Sequence, residues 1–294
     1  MPDAADATAR FLAVRPDLIG IAYRMTGSLA VAEDLAQEAF LRWHAAARGT
    51  IDHPRAWLAR VVTRLCLDWL RSSAHRYEHY VGPWLPEPVL DTQDAPQIRQ
   101  HVWEQDLSMA FLSALQALSP AERAAFILHD LFEMPFDELA ELLQRSEAAC
   151  RQMASRARKH LRQPGPRHPM DREAGRKLTE AFLQASRLGD ETALRTLLSQ
   201  DVRFVSDGGG VRPAARKIIE GIGKVSRLLA GLARKRQYRA PPVLYQGLVN
   251  GEPGFVTLEE DGLPQVTTLS CYEGRVVAVY VVRNPGKLRG MLPG

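Results

Sequence analysis

Cysteine is scarce here, and what there is lies scattered. Cys66, Cys150 and Cys271 are the three in 294 residues, and they form no CxxC pair. Neither a disulfide framework nor a cysteine-held metal site is expected. Each sits among apolar residues, as a small core side chain in a reduced, cytoplasmic protein would. No run of about 18 apolar residues occurs, so no membrane-spanning helix is expected. The opening MPDAADATARF is acidic before it is basic and has no apolar centre, so no signal peptide is expected. Histidine and tryptophan vanish partway along. All eight histidines lie at or before His168, and all five tryptophans at or before Trp103. The change falls at Gln163-Pro164-Gly165-Pro166-Arg167-His168-Pro169, which no helix can cross, and it marks a domain boundary.

What is present suits a chain of about two packed domains. The net charge of +4 permits a polyanionic partner without demanding one. Apolar spacing predicts a helix over Thr8–Thr26 with Phe11, Leu12, Leu18, Ile19, Ala22 and Tyr23 inward. Gly27 breaks it, and Ser28 can cap a second helix over Leu29–Ala47 whose outer face carries Glu33, Asp34, Gln37 and Glu38. Pro54 suits the first turn of a third helix, reaching about Tyr77, with Arg55, Arg60, Arg64 and Arg71 outward. A bundle with solvated charges explains this pattern. So do two partners, one met by an acidic face and one by a basic face.

Helical spacing resumes near Val102. Ser119-Pro120-Ala121-Glu122 is a capping-box start. The stretch FDELAELLQRSEAACRQMASRARKHLR, from Phe136 to Arg162, then reads as two helices joined at Gln144-Arg145-Ser146, a turn without glycine. From Arg145 to Arg162 the chain is cationic: Arg145, Arg151, Arg156, Arg158, Lys159 and Arg162 stand against Glu147 alone. Two readings stand, a basic solvated face or a helix-turn-helix whose second helix enters a DNA groove.

The blocks AEDLAQEAFLRWHAA (Ala32–Ala46) and HPRAWLARVVTRLCLDWLR (His53–Arg71), followed by that two-helix stretch, resemble bacterial sigma factors of the extracytoplasmic-function (ECF) type. The likeness spans roughly residues 8–162. It implies a multidomain fold with two all-α sigma domains. Residues 8–78 would be a region 2 helical bundle, and 102–163 a region 4 helix-turn-helix. It implies that Asp34, Gln37, Glu38 and Phe40 dock on the β′ coiled coil of core RNA polymerase, with the β flap a further polymerase contact. Arg48, Thr50, Arg55, Arg60 and Arg64 would meet the melted −10 element. Arg145, Glu147, Arg151, Gln152, Ser155 and Arg156 would approach the −35 duplex, and Arg158 and Lys159 its phosphates.

Residues 79–101 form a Pro-rich linker, Tyr80-Val81-Gly82-Pro83-Trp84-Leu85-Pro86-Glu87-Pro88. It forbids helix, and Trp84 and Leu85 are too apolar to leave in water. Composition favours a loop packed over its own domain. One group within the resembling family carries such a WLPEP linker with an added C-terminal domain. From Asp91 to Gln97 the chain is polar, and mobility is expected.

Residues 170–294 read as helices over Glu173–Leu188 and Glu191–Ser199, a strand Val202–Ser206, and a basic helix from Ala214 to Lys235. Four strand-like runs follow, with Gly251, Asp261-Gly262 and Glu273-Gly274 as turns, so antiparallel hairpins are expected. The order resembles the α+β SnoaL-like, or nuclear transport factor 2-like, cone. Its DGGG (Asp207, Gly208 and the next two glycines) and NPGKL (Asn284, Pro285, Gly286, Lys287, Leu288) resemble two motifs of the same sigma-factor group. Gly286 stands where that group has Asp, which leaves the role of this turn open. With Trp84, Leu85 and Pro86 these residues would make regulatory contacts.

A cone can also house an enzyme. This domain has no histidine, so a base would have to be Asp207, Asp201 or a glutamate. An Asp beside glycines is more often a turn. No catalytic residue, metal ligand or cofactor is assigned. The expected function is polymerase-bound promoter recognition modulated by the cone. A ligand-responsive DNA-binding regulator, with a small molecule in the cone, is the alternative.

Overall fold

Three serines begin helices where the sequence places them. Ser28 Oγ accepts the Val31 N–H at 3.4 Å, and Ser146 Oγ accepts the Ala149 N–H at 3.3 Å. Ser119 closes a capping box with Glu122. The structure, a computed structural model, describes residues 2–46, 51, 53–78, 80–91, 107–161, 172–289 and 291. These fall into two compact units. One holds both helical blocks; the other holds 80–91, 108–110 and the chain from 172 onward.

In the first unit, α1 (Pro2–Thr26), α2 (Leu29–Ala45) and α3 (Pro54–Glu78) pack on one another. Their apolar faces interlock through Leu18, Ala22 and Tyr23, Ala32, Ala36 and Trp43, and Leu58 and Val62, all essentially excluded from water. Leu12, expected inside, is exposed, because Phe11 beside it takes the inward position. The second block runs α4 (Met109–Gln116), α5 (Pro120–Phe126), a π-helical turn (Ile127–Leu131), α6 (Phe136–Leu143) and α7 (Glu147–Leu161). The expected start near Val102 lies outside the described residues, and Leu107 and Ser108 precede the helix. Gln144 itself adopts the left-handed conformation, φ 53°, that a glycine would supply. That costs roughly 1 kcal/mol and ends α6 in one residue.

The second unit opens with α8 (Arg172–Leu188) and α9 (Glu191–Leu197), followed by β1 (Leu198–Asp207), β2 (Ile219–Glu220) and α10 (Ile222–Lys235). Four more strands close it: β3 (Val243–Val249), β4 (Glu252–Leu258), β5 (Pro264–Tyr272) and β6 (Arg275–Val282). The sheet order is β2-β1-β6-β5-β4-β3. The three hairpins are antiparallel as expected, but β1 runs parallel to β6, so the sheet is mixed. The basic helix does not begin at Ala214. Residues 214–218 lack regular structure, Ile219 and Glu220 pair with β1, and Gly221 at φ 94° precedes the helix.

Alternation sorts the strands into two faces. Val202, Phe204, Phe255, Leu269, Val279 and Val281 pack with α8, α9 and α10. Val205, Val256, Val266, Ala278, Tyr280 and Val282 form a second core with Leu85 and Met109. The Pro-rich segment is therefore a cover on the second face. Its far end also pairs with the edge strand β3. Leu90 bridges Val249, Asp91 N–H donates to Leu248 O at 2.9 Å, and Asn250 N–H donates to Val89 O at 2.8 Å. Asp91, expected to be mobile, is thus tied down; residues 92–97 lie outside the described residues.

Candidate functional site

On α2, Asp34 and Gln37 are exposed and Glu38 is half-buried, holding Arg42 at 3.1 Å. Phe40 is half-buried against Phe11, ring centroids 4.7 Å apart. An acidic strip with an aromatic at its edge results. Arg48 and Thr50 lie outside the described residues. Arg55 is exposed and meets Asp17 at 2.9 Å, Arg64 is exposed, and Arg60 is half-buried.

In the helix-turn-helix, Cys150, Met153, Ala154 and Ala157 bury one side of α7. This leaves Arg145, Glu147, Arg151, Gln152, Ser155, Arg156 and Lys159 on the exposed side. Several are already held. Arg151 donates to Glu147 at 2.5 Å with its guanidinium 5.3 Å over the Phe136 ring. Arg156 meets Glu122 at 2.9 Å, and this guanidinium, after the Ser119 hydroxyl, holds the Glu122 carboxyl below its usual range. Arg158 is half-buried and bonds Asp130 at 2.5 Å. Exposed ion pairs of this kind contribute at most about 1 kcal/mol. They pre-orient cations that remain free to change partners.

The third site lies within the second unit, and its centre is Asp207, at the end of β1 and fully buried. Its Oδ1 accepts Tyr80 Oη–H at 2.5 Å and Gly209 N–H at 2.9 Å. Its Oδ2 accepts Leu85 N–H at 3.0 Å and Lys287 Nζ at 2.6 Å. Lys287 also donates to Leu85 O and lies 3.9 Å over the Trp84 ring. Asn284 Nδ2 donates to Tyr80 Oη at 2.8 Å, while its Oδ1 accepts Gly286 N–H at 2.9 Å. Asn284 thus holds the NPGKL turn without a carboxylate at 286. Gly208 and Gly209 have no alternative here. A Cβ on Gly208 would lie 2.1 Å from Arg212 O, and one on Gly209, at φ 65°, 2.4 Å from Asn284. Leu85 and Pro86 are buried, and Pro285 is half-buried. Burying Leu85 contributes about 2 kcal/mol.

This arrangement gives Asp207 a structural place in the clasp. Asp207 is held by four donors on the sheet face opposite the cone's interior, so it does not reach a substrate there. One of its partners, Tyr80, and one buried residue nearby, Arg212, were missed in the sequence. Tyr80 was legible as an aromatic with a polar tip inside a Pro-rich segment, which needs a hydrogen bond once buried. Arg212 also went unremarked, although its side chain is 4% exposed and grips Asp261 through two bonds of 2.7 and 2.8 Å.

Burial outweighs the attraction of Asp207 and brings the Lys287 ammonium down to about 8. Between there and the ordinary lysine value near 10.4, the unfolded chain holds the extra proton. The folded state therefore gains up to about 3 kcal/mol as pH rises through that window, and loses it as pH falls back through 8. Urea melts at pH 8 and pH 10 should show wild type gaining on Lys287→Met by up to that amount. A difference that stays flat with pH would contradict the assignment.

Two basic helical modules and an α+β domain that holds the Pro-rich segment define a DNA-facing protein with a built-in clasp. Residues 11–76 match the model for Sigma-70 region 2, and 108–161 the model for Sigma-70, region 4. The chain is 41% identical over 96% of its length to the ECF RNA polymerase sigma factor SigJ of Mycobacterium tuberculosis, covering 93% of that protein. It is 31% identical to the probable ECF RNA polymerase sigma factor SigI of the same species, over 96% of this chain and 94% of that one. The crystal structure of SigJ superposes with a TM-score of 0.77 at 38% identity, covering 96% of this chain and 98% of that one. The chain belongs to the ECF RNA polymerase sigma factors. Its function is RNA polymerase-binding, promoter-specific initiation of transcription, and the alternative of a ligand-responsive DNA-binding regulator is not favoured. No helix among the described residues is long and apolar enough to cross a membrane.

Proposed function

We propose that this sigma factor works in the cytoplasm and uses its two helical modules at opposite ends of one promoter while the cone governs their linker. Asp34, Gln37, Glu38 and Phe40 dock on the β′ coiled coil of the polymerase core, and region 4 meets the β flap. Arg48, Thr50, Arg55, Arg60 and Arg64 serve the melted −10 element. Arg145, Glu147, Arg151, Gln152, Ser155 and Arg156 read the −35 duplex, with Arg158 and Lys159 on phosphates. An extruded base costs a few kcal/mol of stacking, which such contacts offset. The protein performs no turnover of its own.

The observation that carries the modulatory part is Asp207, a fully buried carboxylate that gathers linker backbone, linker tyrosine and Lys287 into one knot. Run-off transcription with purified core polymerase tests it, comparing the full chain with one cut after Arg162. The cut chain should differ in promoter output and polymerase affinity; identical values would remove the modulatory role. For the −35 assignment, Arg151→Ala should lower discrimination between matched and scrambled −35 sequences by about 1–3 kcal/mol in competition binding. Equal losses on both sequences would make Arg151 a phosphate contact instead.

A further inference from the structure

The interior of the cone holds a cavity of about 550 Å³, a size that suits a small organic molecule. Its walls are largely apolar, with Phe182, Leu183, Phe204, Leu229, Phe255 and Val281 on the helical and sheet sides. Its charges are not balanced. The carboxylates Asp261 and Glu259 are already engaged, Asp261 by both arms of Arg212 and Glu259 by Arg236 at 3.4 Å and the Thr257 hydroxyl at 2.8 Å. Glu260 lies exposed at the rim.

Two guanidinium groups that line the cavity, Arg187 from α8 and Arg283 just past the end of β6, have carbonyl partners in place of carboxylates. Arg283 donates to Pro213 O at 2.5 Å, and Arg187 to Pro241 O at 2.9 Å. The Nε of each is buried with no hydrogen-bond partner. A buried donor left unmet costs about 1–3 kcal/mol, so such groups are places where something else binds. Burial, then the neighbouring Arg212, lowers the Arg283 pKa from its ordinary value, and the nearby Glu259 and Asp261 offset this only in part.

We infer that the cone binds an apolar organic acid, an aromatic or branched body filling the cavity with a single carboxylate on Arg283, assisted by Arg187. A neutral sterol-like or purely hydrocarbon occupant would leave both Nε–H groups unmet. A phosphorylated or sugar-like ligand would waste the apolar walls. The occupant also touches the clasp's own strand, because β1 turns Ser206 toward the cavity and Asp207 toward the linker.

The test needs neither polymerase nor promoter, so its failure leaves the transcriptional reading untouched. The full-length protein is titrated calorimetrically with 1-naphthylacetate and with 2-(1-naphthyl)ethanol, which share an apolar body and differ in charge. The acid should bind about tenfold or more tightly than the alcohol. Arg283→Met should erase that preference while leaving the alcohol's affinity unchanged, and Arg187→Met should reduce it. The wild-type comparison stands even if the Arg283 variant fails to fold. Equal binding of acid and alcohol, or no binding of either at about 1 mM, would overturn the inference.

Discussion

Asp207→Ala is expected to release residues 80–91 from the sheet at a cost of about 3–5 kcal/mol. The substitution strands Lys287, whose side chain is 13% exposed, without its counter-ion. It also leaves the Tyr80 hydroxyl, the Leu85 N–H and the Gly209 N–H without the oxygens they now use. Removing one member of a buried ion pair is worse than removing both, so Asp207→Ala with Lys287→Met should recover part of the loss. Amide hydrogen exchange is the direct measurement. Leu85, Val89 and Asp91 should exchange faster in the single variant while the hairpins of the sheet remain protected. Unchanged protection of the segment would mean that the Leu85 side chain and the pairing with β3 hold it alone.

The second large effect is expected from Arg123→Met in the helical unit. Helix α1 ends at Thr26, and its last carbonyls need donors from elsewhere. Arg123, 4% exposed, donates to Met25 O and to the Gln116 side chain. It also donates to Gln116 O at 3.0 Å and Leu118 O at 3.2 Å. Gln116 Nε2 in turn donates to Arg24 O at 3.3 Å. A cation here also suits the negative end of the helix. Methionine fills similar volume but offers no donor, leaving buried carbonyls unmet at about 1–3 kcal/mol each, or roughly 3–5 kcal/mol in all. Urea denaturation followed by tryptophan fluorescence suits this unit, since Trp43 and Trp57 lie with ring centroids 5.7 Å apart inside it. A loss under about 1 kcal/mol would show that the carbonyls find water instead. The same contact joins the two regions matched by the sigma models, so loosening it should also change how readily the chain loads onto polymerase.

Local signals were readable because local chemistry made them. The serines at 28, 119 and 146 cap because their hydroxyls meet backbone donors three residues on, and that spacing is visible in the sequence. The start of α10 was misread because Ala214, Ala215, Arg216 and Lys217 mimic the first turn of a basic helix. In the fold Arg212 is drawn to Asp261 and the Ala215 N–H to Ser206 Oγ at 2.8 Å, partners the local pattern does not contain. The parallel pairing of β1 with β6 was hidden for the same reason, because it joins residues some eighty positions apart. Of the clasp, Trp84 and Leu85 stood out as too apolar for water, and Asp207 and Lys287 were named through likeness to a family. Nothing in their own neighbourhoods tells that one carboxylate collects them. Arg123 directly follows the capping box, and its burial comes from tertiary packing that the local pattern does not contain.

The shared direction of β1 and β6 has a consequence for how this protein can change over time. Asp207 stands opposite Val282, and the Arg283 N–H donates to Asp207 O at 2.7 Å, so DGGG and NPGKL leave the sheet at one end, side by side. Hairpins and helices elsewhere in that domain can lengthen or shrink without separating the two motifs. A slide of two residues between those strands, in contrast, would carry the carboxylate about 6–7 Å from the ammonium. A slide of one would turn it to the other face. The aspartate is in this sense a gauge of strand alignment, and only a correctly assembled sheet can hold the tether.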